Sequence, residues 1–165
     1  MENYIVINGK KAELTKEQLE KLGISPGRNN PFDRAGCHKQ YFSPNCHGTI
    51  TCRVDTDDYY DNVYYDNGAY LNDEKFAEQM SLKWLLNRKL EKYAWDNRAE
   101  DVEWNDRENK HYYIYYDFFD KGFQVNVSSL WKCSGVVYFS AKEVAENAIE
   151  DVIKPFMKEH PNFKR

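Results

Sequence analysis

The sequence has no cluster of lysine and arginine, no long apolar run and no short signature of a known chemistry. Each absence excludes something. Without a basic run, and with a formal net charge of -4, direct specific nucleic-acid binding is not expected, because such binding draws on clustered Lys and Arg. No stretch approaches the roughly 20 apolar residues of a membrane span, so no membrane partner is expected. Met1-Glu2-Asn3-Tyr4 has no basic region leading into an apolar one, so no signal peptide is expected and a cytoplasmic location is. In a reducing compartment the four Cys are expected to remain thiols. A Gly-rich phosphate loop, Gly-x-Ser-x-Gly, His-Glu-x-x-His and a Walker sequence are all missing. No catalytic residue is therefore assigned, and the expected class is non-enzymatic.

Aromatic residues are abundant: 13 Tyr, 9 Phe and 4 Trp. The mean hydropathy of -0.87 is low enough for disorder, but disordered chains are poor in aromatics. Tyr and Trp combine a large apolar body with a polar handle and suit half-buried surfaces and interfaces. A length of 165 residues predicts one domain over 1–165.

The pattern along the chain predicts an α+β fold of antiparallel hairpins and sheet packed against one long central helix and a C-terminal helix. Residues 1–24 read as a ββα unit. Tyr4 to Ile7 is a strand, Asn8-Gly9 a strong hairpin signal, and Lys10 to Leu14 the returning strand. Thr15 and Gln18 have capping-box spacing. Leu19 and Leu22 form one helical edge, which Gly23 and Pro26-Gly27 end. A loop from Ser25 to Gly36 leads to a second hairpin, Lys39 to Phe42 with Thr49 to Val54, joined by turn chemistry at Ser43 to Gly48. The longest helix is predicted from an Asn72 N-cap to about Asn97. Its wide apolar face carries Phe76, Met80, Trp84, Leu82, Leu86, Leu90 and Tyr93. A charged connection follows, with Trp104 as an anchor. Residues 111–160 read as a βββα unit: Tyr112 to Tyr116, Phe123 to Val127 and Val136 to Phe139, then a helix opened by a Ser140–Glu143 capping box. Pro155 is expected to kink or end that helix.

Charge is distributed unevenly. Asp55 to Glu74 holds seven acidic residues and no basic one, so the rest of the chain sums to +3. Within it, Asp55, Asp57, Asp58, Tyr59, Tyr60, Asp61, Tyr64, Tyr65 and Asp66 form the candidate partner-binding face. Closely spaced carboxylates compete for a basic groove, and Tyr rings add contact area at low entropy cost. The alternative is an acidic loop whose Tyr rings pack inward while the Asp side chains stay in water. Calcium is not favoured, since the regular Asp-x-Asp-x-Asp-Gly loop with a late Glu is missing.

Cys37, His38, Cys46, His47 and Cys52 are the candidate zinc ligands, because zinc takes four N or S donors. Their spacing argues against a site. There is no Cys-x-x-Cys, and adjacent Cys-His pairs on a strand point to opposite faces. Small buried Cys and turn His are the preferred reading, and no cofactor is expected. A Cys-His nucleophile lacks an orienting third group, Cys133 reads as inert, and the carboxylate pairs Asp57-Asp58 and Glu100-Asp101 read as solvated.

Four segments carry a resemblance: "YIVINGKKAELTKEQLEKLGI", "NPFDR", "KHYYIYYDF" and "VYFSAKEVAENAIEDVIKPFMKEHP". Together they resemble small proteins carried by phages and prophages of gut Clostridia, over most of the chain apart from Cys37 to Cys52. Some small phage proteins of this kind counter host defence, including inhibitors of CRISPR effector nucleases. The resemblance implies a phage-encoded protein in a bacterial host cell whose partner is a host protein. The expected function is an anti-CRISPR acting on a type II RNA-guided nuclease, whose basic grooves suit the acidic face. The alternatives are a nucleotide-binding or nucleotide-degrading anti-defence protein and a phage structural or assembly protein. No catalytic residues come with the resemblance.

Overall fold

A computed structural model describes residues 4–7, 10–15, 18, 30–98, 104 and 106–164. The fold is α+β, with antiparallel strand pairs, a long central helix and a C-terminal helix. Strands β1 (Tyr4–Ile7) and β2 (Lys10–Glu13) pair from Ile7↔Lys10 outward. The two residues between them, Asn8 and Gly9, lie outside the described residues, as do Leu19, Leu22, Gly23 and Pro26-Gly27. The capping box is present: Thr15 N–H donates to Gln18 Oε1 at 2.8 Å, and Gln18 N–H donates to Thr15 Oγ1 at 3.3 Å.

Strands β3 (Gln40–Pro44) and β4 (Ile50–Val54) form the second hairpin. β3 alternates as a strand with one covered face must, with Tyr41 and Ser43 buried. Helix α1 (Tyr59–Asp66) follows, and its chain returns to β3 through paired bonds between Phe42 and Leu71. Helix α2 (Glu74–Asp96) then spans about 34 Å at 1.5 Å per residue. Its N-cap is Asp73, which accepts from Phe76 N–H at 2.9 Å, one residue later than the sequence suggests. Asn72 is used otherwise: its amide donates to the carbonyls of Asn30 and Asp33.

α2 joins two packed regions. Its first half lies on the β3–β4 hairpin, and its second half on the C-terminal unit. Small residues let helix and hairpin approach. Ala77 and Ser81 are fully buried, and Ser81 Oγ sits 2.6 Å from the Thr49 carbonyl and 3.2 Å from that of Asn45. The hairpin turn is held by Asn45, whose side chain bonds Thr49 Oγ1 and accepts from His47 N–H. Gly48 has φ +79°, and a Cβ there would stand 2.6 Å from Leu85 Cδ2. Gly48→Ala combines a left-handed backbone with overpacking, so a loss of about 1–3 kcal/mol is expected. Urea denaturation checks this, and an unchanged midpoint would mean that hairpin and helix are not in contact there.

The C-terminal unit contains β5 (His111–Asp117), β6 (Gly122–Ser128) and β7 (Tyr138–Phe139), antiparallel in the order β6-β5-β7. β7 is two residues shorter than the sequence pattern. Helix α3 (Lys142–Ala148) starts after Ala141, whose side chain makes no cap bond, so Ser140 and Glu143 do not form the expected box. The larger core lies here: Leu90 of α2, Phe139 of β7, and Ala145, Ala148, Ile149 and Ile153. Pro155 does not end the helix. A π turn, Ile149–Ile153, widens the backbone just before it, and Lys154 N–H bonds the Ile149 carbonyl. Helix α4 (Lys154–Glu159) then continues with proline in its first turn. Among the described residues, no helix is long and apolar enough to cross a membrane.

Candidate binding face and its buried scaffold

The Asp55–Asp66 run is neither a plain acidic surface nor a solvated loop. Most of it is helix α1, which the sequence reading did not anticipate. No apolar periodicity announces it, but a capping box does. Asp58 is the N-cap and accepts from Asp61 N–H at 2.9 Å, while the Asp61 carboxylate accepts from Asp58 N–H at 3.3 Å.

Two of the nine candidate residues are removed from the surface. Asp55 is 0% exposed and Asp61 4%. Asp55 is chelated by Arg34: Nε donates to Oδ2 at 2.8 Å and Nη2 to Oδ1 at 3.0 Å. Tyr70 Oη donates to Oδ2 at 2.9 Å, and Asp57 N–H to Oδ1 at 2.8 Å. Arg34 beside it, and these further donors, hold the Asp55 carboxyl well below the usual carboxylate range. Asp61 is a second such centre without a cation. It accepts from Tyr41 Oη at 2.8 Å and from Thr56 N–H at 2.7 Å. Burial alone would raise its pKa, but the bonds from Tyr41, Thr56 and Asp58 outweigh it and the net shift is downward. Burial and the carboxylate partners both raise the hydroxyls of Tyr41 and Tyr70. These two rings stack at 4.0 Å with an 11° interplanar angle. The two carboxylates thus lie beneath one tyrosine pair.

Tyr64 and Tyr65 are partly absorbed into the same scaffold. The Arg53 guanidinium lies 4.6 Å over the Tyr64 ring and donates to its hydroxyl at 2.9 Å. Tyr65 meets Tyr70 edge-on at 5.8 Å and remains exposed at its rim. The sequence reading missed Arg34, Tyr41, Arg53 and Tyr70, which organise the site. Arg34 reaches Asp55 across 21 positions, and no local pattern encodes such a pairing.

Asp57, Asp58, Tyr59, Tyr60 and Asp66 face outward. Tyr59 and Tyr60 are 73% and 69% exposed and touch each other edge-to-face at 5.6 Å. Asp57 has φ +58° and makes an outer ion pair with Arg34 at 2.9 Å. Asp66 sits in the last turn of α1, where the helix dipole disfavours a carboxylate. The loop alternative is therefore half inverted, since two Asp side chains are buried and two Tyr rings are in water.

The Cys and His candidates are dispersed. Cys37 and His38 lie in the turn before β3, Cys46 and His47 at the tip of the β3–β4 turn, and Cys52 within β4. All four Cys, including Cys133, are exposed, which corrects the expectation of buried thiols. Among the described residues, no three His, Cys, Asp or Glu are grouped to hold a metal. Glu100 and Asp101 lie outside the described residues. Trp104 is an anchor, as expected: its ring stacks on His111 at 3.6 Å and meets Tyr138 edge-on. In comparisons with known proteins, no family model, no curated protein and no solved structure matches the chain.

Proposed function

We propose that the chain is a non-enzymatic binding protein that docks the Asp57, Asp58, Tyr59, Tyr60 and Asp66 face onto a basic nucleic-acid-binding groove of another protein. The carrying observation is the adjacent exposed pair Tyr59 and Tyr60, flanked by outward carboxylates and fixed from below by the Asp55 and Asp61 networks. Exposed aromatics on a rigid base are the usual anchors of an interface, and they bind without first paying to be ordered. Carboxylates around them steer a basic partner and exclude acidic ones. The resemblance to phage and prophage proteins directs the reading to a host-defence target, a type II RNA-guided nuclease with basic DNA channels.

The decisive variant strips charge and keeps structure. Asn replaces Asp57 at a left-handed residue, which Asn tolerates. Asn also replaces Asp58 at an N-cap, where the two are equivalent. Asp57→Asn, Asp58→Asn and Asp66→Asn together, with Asp55 and Asp61 intact, are expected to weaken binding to such a nuclease at least about tenfold. They should also flatten its salt dependence. Tyr59→Ala with Tyr60→Ala is expected to weaken it about 10–30-fold. Calorimetry at two salt concentrations reads both. Undiminished binding by both variants would sink the acidic-face reading.

A further inference from the structure

The β3–β4 hairpin leaves one sheet edge open. Asn45 N–H donates to the Thr49 carbonyl at 3.0 Å, and Asp55 N–H to that of Lys39 at 2.9 Å. Bonding alternates along an antiparallel pair. Thr51 and Arg53, between these two bonds, therefore turn their N–H and C=O groups toward β3, and Ile50, Cys52 and Val54 turn theirs away. On β3 the same alternation points Phe42 outward, and Leu71 takes both of its backbone groups, at 2.7 and 3.0 Å. β4 has no such neighbour. Among the described residues it pairs with β3 alone, and the outward groups of Ile50, Cys52 and Val54 have no partner.

Exposed edges are normally guarded by Lys, Pro, a bulge or a covering segment. β4, Ile-Thr-Cys-Arg-Val, contains neither Lys nor Pro, and its register with β3 is unbroken over five pairs. Thr51, Cys52 and Val54 are exposed. The single charge, Arg53, is drawn inward over the Tyr64 ring. Ile50, Thr51 and Val54 are β-branched and favour an extended partner. An open row of backbone groups of this kind is satisfied by one more strand.

The strand is complementary to its own copy. Placed antiparallel and centred on Cys52, two β4 strands pair over all five residues: Cys52 faces Cys52, Ile50 faces Val54, and Thr51 faces Arg53, so no like charges oppose. Charge also sets the direction. β4 runs on toward Asp57 and Asp58, whereas the turn before it is tied to α2 by Arg88, whose Nη2 donates to the Cys46 carbonyl at 2.8 Å. A neutral carbonyl leaves the charge of Arg88 in place. An antiparallel pair brings each acidic end toward the other copy's Arg88 end, while a parallel pair sets acidic beside acidic. We propose that the protein forms a two-fold dimer through antiparallel pairing of its β4 strands, which merges the two hairpins into one four-stranded sheet. The pairing does not use Tyr59 or Tyr60.

The test is sedimentation velocity on the whole protein from about 1 to 500 μM under reducing conditions. A reversible monomer–dimer equilibrium is expected. Val54→Lys adds a charge at an exposed edge position and is expected to weaken the dimer at least about tenfold. Cys52→Pro removes an N–H that β3 does not use, so it leaves the hairpin ladder whole and is expected to act likewise. Cys52→Ser keeps that N–H and the dimer. Circular dichroism checks that each variant is folded. The register is read by cross-linking. With Cys37→Ser, Cys46→Ser and Cys133→Ser in place, Cys52 is the one thiol left. Its two Cα atoms would lie about 5.5 Å apart in the dimer, within disulfide reach. Diamide, which takes up the two thiol hydrogens, is expected to link this protein at least about tenfold faster than the same protein carrying Val54→Lys. The proposal is overturned by a monomer at every concentration, by a dimer indifferent to both edge variants, or by a dimer in which Cys52 does not cross-link. No nuclease enters the test, so its failure leaves the reading of the acidic face standing.

Discussion

Replacing Asp55 with Asn is expected to destabilise the protein by about 3–5 kcal/mol, while the same change at Asp61 should cost only about 1 kcal/mol. The contrast follows from hydrogen-bond direction. Both Asp55 oxygens accept, Oδ2 from Arg34 Nε and Tyr70 Oη, and Oδ1 from Arg34 Nη2 and Asp57 N–H. An Asn amide must turn its NH2 toward one set of donors, and on either side it meets an Arg34 N–H. The variant thus loses bonds and leaves the guanidinium with only its outer carboxylate partner, Asp57. A buried pair broken from one side is costly even where the intact pair adds little net stability. Asp61 differs because one oxygen faces only a hydroxyl, that of Tyr41. An Asn there keeps its carbonyl toward Thr56 and Asp58 and donates to Tyr41 Oη, which accepts by rotating its proton. Against a total stability of about 5–15 kcal/mol, the Asp55 variant should unfold at a clearly lower urea concentration and the Asp61 variant near the wild-type midpoint. Equal losses at the two sites would contradict the direction of these bonds.

What the sequence made legible was local. The alternation in Phe123 to Val127 became β6, the Thr15–Gln18 spacing became a real capping box, and the apolar face of the long helix became α2. Each rests on interactions within a few positions, which period and spacing encode. The failures share a different origin. Pro155 predicts a kink or an end to the helix; the irregularity is there, but as a π turn just upstream, and the helix goes on past the proline. Ser81 lies buried in α2 because two hairpin carbonyls, 32 and 36 positions earlier in the chain, need a donor. The acidic run misled most. Composition reports charge without saying which carboxylates meet a distant Arg34 or Tyr41, so it leaves only two options, one surface of nine residues or a loop with its Tyr rings inward, and neither separates Asp55 and Asp61 from the rest. The Asp58–Asp61 spacing was the available signal for α1, and it was masked by the density of Asp around it. The exposed remainder of the face is correspondingly smaller, centred on Tyr59 and Tyr60.

The same buried network is expected to set the limits of stability at both ends of the pH scale. Asp55 and Asp61 have pKa values lowered in the folded protein from an ordinary 3.8. As pH falls past that value the unfolded chain takes up protons that the folded chain refuses, so stability drops. The loss begins near pH 4 and is complete only when the folded carboxylates themselves protonate. The groups facing them are Arg34, Asp57 and Tyr70 around Asp55, and Tyr41 and Asp58 around Asp61. Exposed pairs such as Lys142–Glu146 add little to this limb. Tyr41 and Tyr70 act with the opposite sign. Their folded pKa values are raised above 10.0, so their contribution is intact below pH 10 and disappears as pH rises through the folded values. Thermal unfolding from pH 2 to 12 should trace a dome whose acid limb becomes shallower in Asp61→Asn. Tyrosinate absorbance during an alkaline titration should reveal late-ionising rings, Tyr41 and Tyr70 together with unfolding, and Tyr93, which Asp151 raises separately. If all 13 tyrosines instead titrate as one population near 10 while the fold persists, the hydroxyls are not held by the carboxylates. Asp55 and Asp61 would then return to the list of charges a basic partner can reach.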